Sequence, residues 1–112
     1  MFQRGDGVRR SDDSAARWFA LAARSGDTES MYQLAVAFER GRGVAKDQNA
    51  ALDWYTRAAN AGNAAAQFAV GEIWEKGRLG VGKDKMKALE WYRRAAAQGR
   101  KDAAKRVQEL ER

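Results

Sequence analysis

The chain has 112 residues, no cysteine, no histidine and a formal net charge of +6. A chain of this length makes one domain that can fold alone, and the missing residue types exclude disulfides, thiolate or imidazole metal sites, cysteine nucleophiles and histidine acid–base chemistry. Much enzyme chemistry is therefore excluded, and we expect neither a metal nor a cofactor.

The first predicted helix covers residues 12 to 25. Its apolar residues recur at the spacing of one helical face, and Ser11 before it and Gly26 after it suit the N-cap and the C-terminal turn. The face consists of Ala15, Trp18, Phe19, Ala22 and Ala23. We call helices with this face B-type.

A second kind of helix, A-type, follows the predicted N-cap Asp27 and ends at Gly41. Its inward stripe alternates small and large residues, which lets helix backbones approach closely. The stripe consists of Ser30, Leu34, Ala35 and Phe38. A B-type helix over residues 48 to 61 follows, with Asp47 as its N-cap. Its face holds Ala51, Trp54, Tyr55, Ala58 and Ala59.

The same pair of helices then recurs. An A-type helix starts after Asn63 and ends at Gly77, and a B-type helix covers residues 85 to 98 behind the N-cap Asp84. The two faces hold Ala66, Val70, Gly71 and Trp74, and then Ala88, Trp91, Tyr92, Ala95 and Ala96. The last segment, residues 101 to 112, keeps few apolar positions and is predicted to be a capping helix.

Internal self-similarity decides the fold. The pair of aromatic residues at 18–19 recurs 36 residues later at 54–55, and again 37 residues further on at 91–92, with one inserted residue near Leu79. We predict an all-α solenoid, an α-α superhelix of tandem antiparallel helix pairs without a sheet. Its parts are a partial repeat over 1–26, full repeats over 27–62 and 63–99, and a cap over 100–112.

The predicted core lies between the helix pairs. Trp54 and Trp91 sit at the centre of the apolar faces, among alanines that leave room for a ring. We therefore expect both indoles to be buried between the pairs.

These motifs resemble the Sel-1-like repeat family, relatives of the tetratricopeptide repeats. The family's first-helix, loop and second-helix motifs correspond to residues 34–38, 41–47 and 54–62, and in the next copy to 70–74 and 91–99. The match covers nearly the whole chain. The departures from the family pattern are Phe19, Ala35, Phe38 and Trp74.

The resemblance implies an adaptor that brings proteins together and not a catalyst. Against the family's unit, the chain opens inside a repeat, so the first B-type helix lacks its A-type partner. The face of Trp18 and Phe19 should then be partly uncovered, which favours either disorder at the N-terminus or self-association.

In the tetratricopeptide-like arrangement the A-type helices line a concave surface, and we expect a partner protein or peptide there and no small-molecule substrate. Tyr32 and Phe68 occupy matching positions one repeat apart and are candidate aromatic anchors. The alternative is that both rings pack against neighbouring helices. The expected partner-binding residues are Glu29, Tyr32, Gln33, Val36, Glu39, Arg40, Phe68, Glu72, Glu75, Lys76, Lys105 and Arg106.

Positive charge is concentrated in the C-terminal third, where residues 76 to 112 hold twelve basic and five acidic groups. Nucleic acid or another polyanion is therefore the alternative partner. A solvated helical surface explains the charge equally well, and the aromatic residues are assigned to the core rather than to a base-stacking platform. Protein binding is accordingly the preferred prediction.

The start of the chain has no apolar signal-peptide core. The longest apolar run, residues 18 to 23, is far shorter than the roughly 20 residues of a membrane span. We expect a cytoplasmic protein, or a periplasmic or secreted one if a signal peptide has been removed.

Overall fold

Six helices in a row make up the part of the chain that the computed structural model describes, residues 4–111, with side chains described from residue 13 onward. They are α1 (Arg4–Arg24), α2 (Thr28–Arg40), α3 (Gln48–Asn60), α4 (Ala64–Lys76), α5 (Lys85–Ala97) and α6 (Lys101–Leu110). Within residues 4–111 there is no strand, and no helix is long and apolar enough to cross a membrane. The all-α prediction is confirmed.

Each helix packs chiefly against the helices next to it in sequence, most closely α2 on α3 and α4 on α5. The molecule is elongated, with principal extents of 57 × 26 × 22 Å. Such one-dimensional stacking of helix pairs is the architecture of an α-helical solenoid. The A-type helices are α2, α4 and α6, and the B-type helices are α1, α3 and α5.

Helix starts follow the sequence signals closely in the later repeats. The side chains of Asp47, Asn63 and Asp84 accept hydrogen bonds from the backbone N–H three residues on, at 3.0, 2.8 and 3.1 Å. Asp27 stands at the N-cap of α2 but makes no such bond, because its carboxylate accepts a hydrogen bond from the Ser30 hydroxyl instead.

The start of α1 differs from the prediction. The helix begins at Arg4, and Ser11 lies inside it instead of capping it. In the later repeats the corresponding loops are held by backbone bonds to the preceding A-type helix, such as the Asp47 N–H to the Phe38 carbonyl at 2.9 Å. In α1 the residues before Ser11 are helical instead, and their backbone groups are paired within the helix.

The core is built on tyrosine rather than tryptophan. Tyr55 is 5% exposed and Tyr92 is completely buried, whereas Trp54 and Trp91 remain partly exposed. The expectation that both indoles are buried is therefore wrong. Adjacent residues are turned by about 100° around a helix, and the tyrosine, not the tryptophan before it, points between the two helices of its repeat.

Trp54 and Trp91 are each covered on the solvent side by an arginine three residues later in the same helix. The Arg57 guanidinium lies 5.1 Å from the Trp54 ring centroid, and that of Arg94 lies 4.6 Å from the Trp91 centroid. A cation over an indole face is attracted by the ring's quadrupole. The arginine thus shields from solvent an indole that the packing of the two helices leaves partly exposed.

We call the connection between α2 and α3 the first loop and that between α4 and α5 the second loop. Leu79, the inserted residue of the second loop, contributes to the core. Leu79 is buried and belongs to the core cluster of α2, α3 and α4, although it has a positive φ of 54°. A left-handed conformation is unfavourable for a branched side chain. Burial of a leucine contributes about 2 kcal/mol and offsets that cost.

Candidate functional site

The residues expected to bind a partner form one face of each A-type helix, because they recur at intervals of three and four. On this face Tyr32, Phe68 and Glu72 are partly exposed. The remaining partly exposed members are Gln33, Val36, Glu39, Glu75 and Arg106, and the fully exposed ones are Glu29, Arg40, Lys76 and Lys105. We call this set the A-face.

The two aromatic residues of the A-face each rest on the buried tyrosine of their own repeat. The ring centroids of Tyr32 and Tyr55 are 5.7 Å apart in an edge-to-face arrangement, and those of Phe68 and Tyr92 are 5.3 Å apart and tilted. Both rings therefore pack against a neighbouring helix and keep a part exposed. The Arg100 guanidinium lies 5.0 Å from the Phe68 centroid and covers one side of it.

Two of the A-face acids are engaged inside the molecule. The Tyr55 hydroxyl donates to Glu39 Oε1 at 2.6 Å, and Arg78 from the second loop donates to the other oxygen of the same carboxylate. A carboxylate with two such donors has little remaining capacity for a partner. Glu39 thus ties the first full repeat to the loop of the second.

The next repeat contains the same arrangement. The Tyr92 hydroxyl donates to Glu75 Oε1 at 2.7 Å, and Arg106 of α6 donates to Glu75 Oε2. The arginines come from different elements, a loop in one case and a helix in the other. From the sequence, Glu39, Glu75 and Arg106 were expected to contact a partner, and these internal bonds were not predicted. The recurrence of a Glu sixteen or seventeen residues before each tyrosine was the available signal.

The other A-face charges are less constrained. Glu72 lies 3.7 Å from Lys76 one turn later, and Glu29 accepts a long 3.5 Å bond from Gln33. Exposed pairs of this kind contribute little to stability. Arg40, Glu72 and Lys76 therefore remain available to a partner at small cost.

Val36 and Gln33 of the A-face also take part in packing between helices. Val36 packs on the core cluster of α2, α3 and α4 and, with Gln33, lines a cavity of about 110 Å³ between α2 and α1. The wall of this cavity on α1 includes Ala15 and Phe19. Val36 and Gln33 thus join two helices as well as forming part of the surface.

The electrostatics around Phe68 are set by an ion pair. Arg100 binds Asp102 through two hydrogen bonds, at 3.1 and 2.7 Å. The bond to Arg100 holds the pKa of the Asp102 carboxyl below its usual range, and the same bond raises the pKa of Arg100. The ion pair therefore favours the charged form of the guanidinium over Phe68 and orients it.

The buried tyrosines should make stability depend on alkaline pH. Burial raises the pKa of Tyr55 to about 12 and raises that of Tyr92 as well. In an unfolded chain tyrosine ionises near pH 10, so between about pH 10 and 12 the unfolded state loses protons that the folded state keeps. The contribution of Tyr55, roughly 2 to 3 kcal/mol, is complete below pH 10 and is lost as the pH rises through that window.

Urea denaturation at several pH values from about 8 to 12 measures this loss. To isolate the contribution of this hydroxyl, the comparison is with Tyr55→Phe, which lacks it. We expect the wild type to lose more stability than this variant between pH 10 and 12. Equal losses would contradict a proton held by Tyr55 in the folded state.

Many basic residues of the C-terminal third are paired with other side chains. Arg94 bonds Glu90 at 3.0 Å, Arg93 pairs with Glu111, and the Lys87 ammonium lies 4.3 Å from the centroid of the Trp74 ring. These side chains are therefore engaged within the molecule. This distribution does not support a nucleic-acid surface.

A family model described as Sel1 repeat matches the chain three times, over residues 1–27, 28–63 and 64–99. The search of the curated proteins returned no match.

Solved structures agree with the match to the Sel1 repeat model. A Sel1 repeat protein from Oxalobacter formigenes is 45% identical, with a TM-score of 0.80 over 95% of this chain and 79% of that one. A protective antigen present in uropathogenic Escherichia coli strains, displaying an SLR fold, is 39% identical, with a TM-score of 0.81 over 96% of this chain and 23% of that one. This chain thus spans about a quarter of the antigen's length.

Helicobacter pylori cysteine rich protein B is 22% identical, with a TM-score of 0.74 over 80% of this chain and 66% of that one. At this identity the likeness shows the fold alone.

Proposed function

The chain belongs to the Sel1 repeat family, and we propose that it works as a non-catalytic scaffold that binds a protein or peptide partner on the A-face. Sel1 repeats are in general protein-interaction modules, which supports this class of function. Among the side chains that the structure describes, those of residues 13–111, no group of acidic residues is arranged to hold a metal ion. The proposal concerns where the partner binds and which side chains hold it.

The observation that carries the proposal is the pair of partly exposed rings, Tyr32 and Phe68. They lie one repeat apart, and each is supported from beneath by a buried tyrosine. A ring fixed in this way loses little conformational entropy when a partner covers it. Aromatic side chains are also enriched among the residues that dominate binding energy at interfaces.

The charges around the two rings indicate the kind of partner. Arg40 and Lys76 end α2 and α4 as exposed cations, while Glu72 lies one turn after Phe68 on α4. A mixed surface of this kind fits a segment with both signs of charge and an apolar residue for each ring. The charges should steer and orient the partner more than they add affinity.

Truncation of either ring should weaken binding. A pull-down from the native host followed by mass spectrometry identifies the partner, which is then titrated calorimetrically against Tyr32→Ala and Phe68→Ala. We expect each variant to lose about 1 to 2 kcal/mol of binding free energy, a loss of roughly 5- to 30-fold in affinity.

The control is Arg57→Glu on a B-type helix, which should leave the affinity unchanged. Both ring variants also lose packing on a tyrosine, so their thermal unfolding is measured first, and binding is compared at a temperature where all proteins are folded. Normal binding by both ring variants, together with loss of binding in the control, would place the partner elsewhere.

A further inference from the structure

A groove lies on the opposite side of α2 from the A-face. Leu34 and Phe38 project about 180° around the helix from Val36, and with Trp54 they line a groove of about 190 Å³. The remaining walls come from α1, chiefly Ala20, and from Val44 of the first loop. We call this the junction groove, because it lies where α1 meets the first full repeat.

The groove exists because small residues stand at its edge. Ala16 and Ala20 of α1 border it, whereas the residues 36 positions later, at the next junction, are Leu52 and Thr56. Phe38 likewise corresponds to the larger Trp74. Leu52 and Trp74 pack against the core cluster there. The sequence therefore fills the second junction and leaves the first one open.

The charge of the two junctions also differs. Arg17 and Arg24 border the junction groove, and their counterparts 36 residues later are Asp53 and Asn60. Asp53 pairs with Arg57 at 3.0 Å. Among the described side chains, neither Arg17 nor Arg24 lies within ion-pair distance of a carboxylate. The open junction thus combines an apolar floor with two cations.

The solvent-facing residues of α1 also differ from their counterparts in α3. The position of the covering arginine, Arg57 in α3, is held by Leu21 in α1. Trp18 consequently has no such cation over it and is 72% exposed, and Leu21 is 61% exposed. Exposed apolar residues grouped beside a groove are typical of interaction sites.

We propose that the junction groove binds an acidic protein segment by taking up one apolar side chain of that segment, with Arg17 and Arg24 pairing with flanking carboxylates. A dry cavity of about 150 Å³ lined by apolar side chains accommodates a benzene ring. The junction groove is somewhat larger and therefore admits a leucine or phenylalanine side chain. Arginine pairs with carboxylates through two parallel hydrogen bonds, which fixes the segment's direction as well as its charge.

The floor of the groove favours a protein segment over a polyanion without apolar groups. Leu34, Phe38, Val44 and Trp54 offer apolar contact and no donor except the indole N–H. An apolar anchor gains from this floor, and the two arginines select against a basic segment because like charges repel. The groove does not share residues with the A-face, so it forms an additional binding site.

The test uses a short synthetic peptide in which one phenylalanine is flanked on each side by two glutamates. The probe is titrated into uniformly ¹⁵N-labelled protein while the indole N–H signals are followed by NMR. We expect saturable binding with a dissociation constant below about 1 mM, and a shift of the Trp54 indole signal. Trp91 occupies the corresponding place at the filled junction, so its signal serves as an internal control and should stay in place.

Two variants give the first junction the properties of the second, one its charges and the other its filled space. Arg17→Asp with Arg24→Asn transfers its charges, and Ala20→Leu fills the groove by a side chain at a partly exposed position. Each should lower the affinity for the peptide about tenfold or more. Tyr32→Ala, which alters the A-face, should leave it unchanged, so this result does not depend on the partner proposed for that face. A peptide with alanine in place of the phenylalanine should bind at least tenfold more weakly.

Several results would overturn the proposal. They are the absence of saturable binding, equal binding of a peptide with lysines in place of the glutamates, and equal shifts of the Trp54 and Trp91 signals. Sedimentation of the peptide-free protein is measured as well, because a second copy is the rival occupant. A dimer that Arg17→Asp with Arg24→Asn dissociates, and that excludes the peptide, would assign the groove to self-association instead.

Discussion

Tyr92→Ala should lower the free energy of unfolding by about 4 kcal/mol, in the range found when a buried aromatic side chain is removed. The ring has no exposed surface and packs between Gly71 and Phe68. Its loss leaves a cavity and also deprives Glu75 of the hydroxyl that donates to it. Urea denaturation followed by far-UV circular dichroism at neutral pH measures the change.

Two companion variants separate the ring from its hydroxyl and from its neighbour. Tyr92→Phe keeps the ring and loses one hydrogen bond to a charged group, so we expect a cost of about 1.5 to 3 kcal/mol. Trp91→Ala removes a larger but partly exposed ring, and it should cost less than Tyr92→Ala. The reverse order would mean that the indole, as the sequence suggested, is the true centre of the core.

Gly71→Ala is expected to destabilise the protein by about 2 kcal/mol, although alanine is the better helix former by about 1 kcal/mol. A Cβ at this position would lie 2.7 Å from two carbons of the Tyr92 ring, closer than real contacts allow. The ring cannot move away easily because it is enclosed and its hydroxyl is bonded to Glu75. The methyl group therefore forces α4 and α5 apart.

A double-mutant cycle isolates this contact. If the cost of Gly71→Ala comes from the tyrosine ring, the same substitution made in Tyr92→Ala should be neutral or stabilising, because only the helix propensity remains. Ala35 is the matched control, since it occupies the same place in α2 and is completely buried. Ala35→Gly should destabilise the protein by about 1 kcal/mol or more, through lost propensity and a lost buried methyl. A stable Gly71→Ala variant would contradict the close approach.

Much of the fold followed from the sequence because its signals are local and repeated. The aromatic pairs at 18–19, 54–55 and 91–92 set the period, and the N-caps Asp47 and Asp84 marked helix starts that the structure reproduces. A helical face and a cap depend only on residues within one or two turns. Three copies in one register then left few alternatives to a stacked array of helix pairs.

The candidate site was predictable only in outline. Spacing placed Tyr32 and Phe68 on one face, and the structure leaves both partly exposed. The sequence did not distinguish Glu39 and Glu75, which bond buried hydroxyl groups, from exposed acids on the same face. Their partners lie sixteen or more residues away, and such pairings depend on how one repeat is turned against the next.

Helix positions and the order of the repeats were thus determined by the sequence itself, through local periodicity and capping. Two features were decided by tertiary structure: the burial of Tyr55 and Tyr92 in preference to the tryptophans, and the place at which the small residues of α1 leave the junction groove open. Each depends on which surfaces meet and how fully they fill the space between them. A residue's own helix fixes the direction of its side chain, but only the neighbouring helix determines whether that direction leads into the core or into solvent.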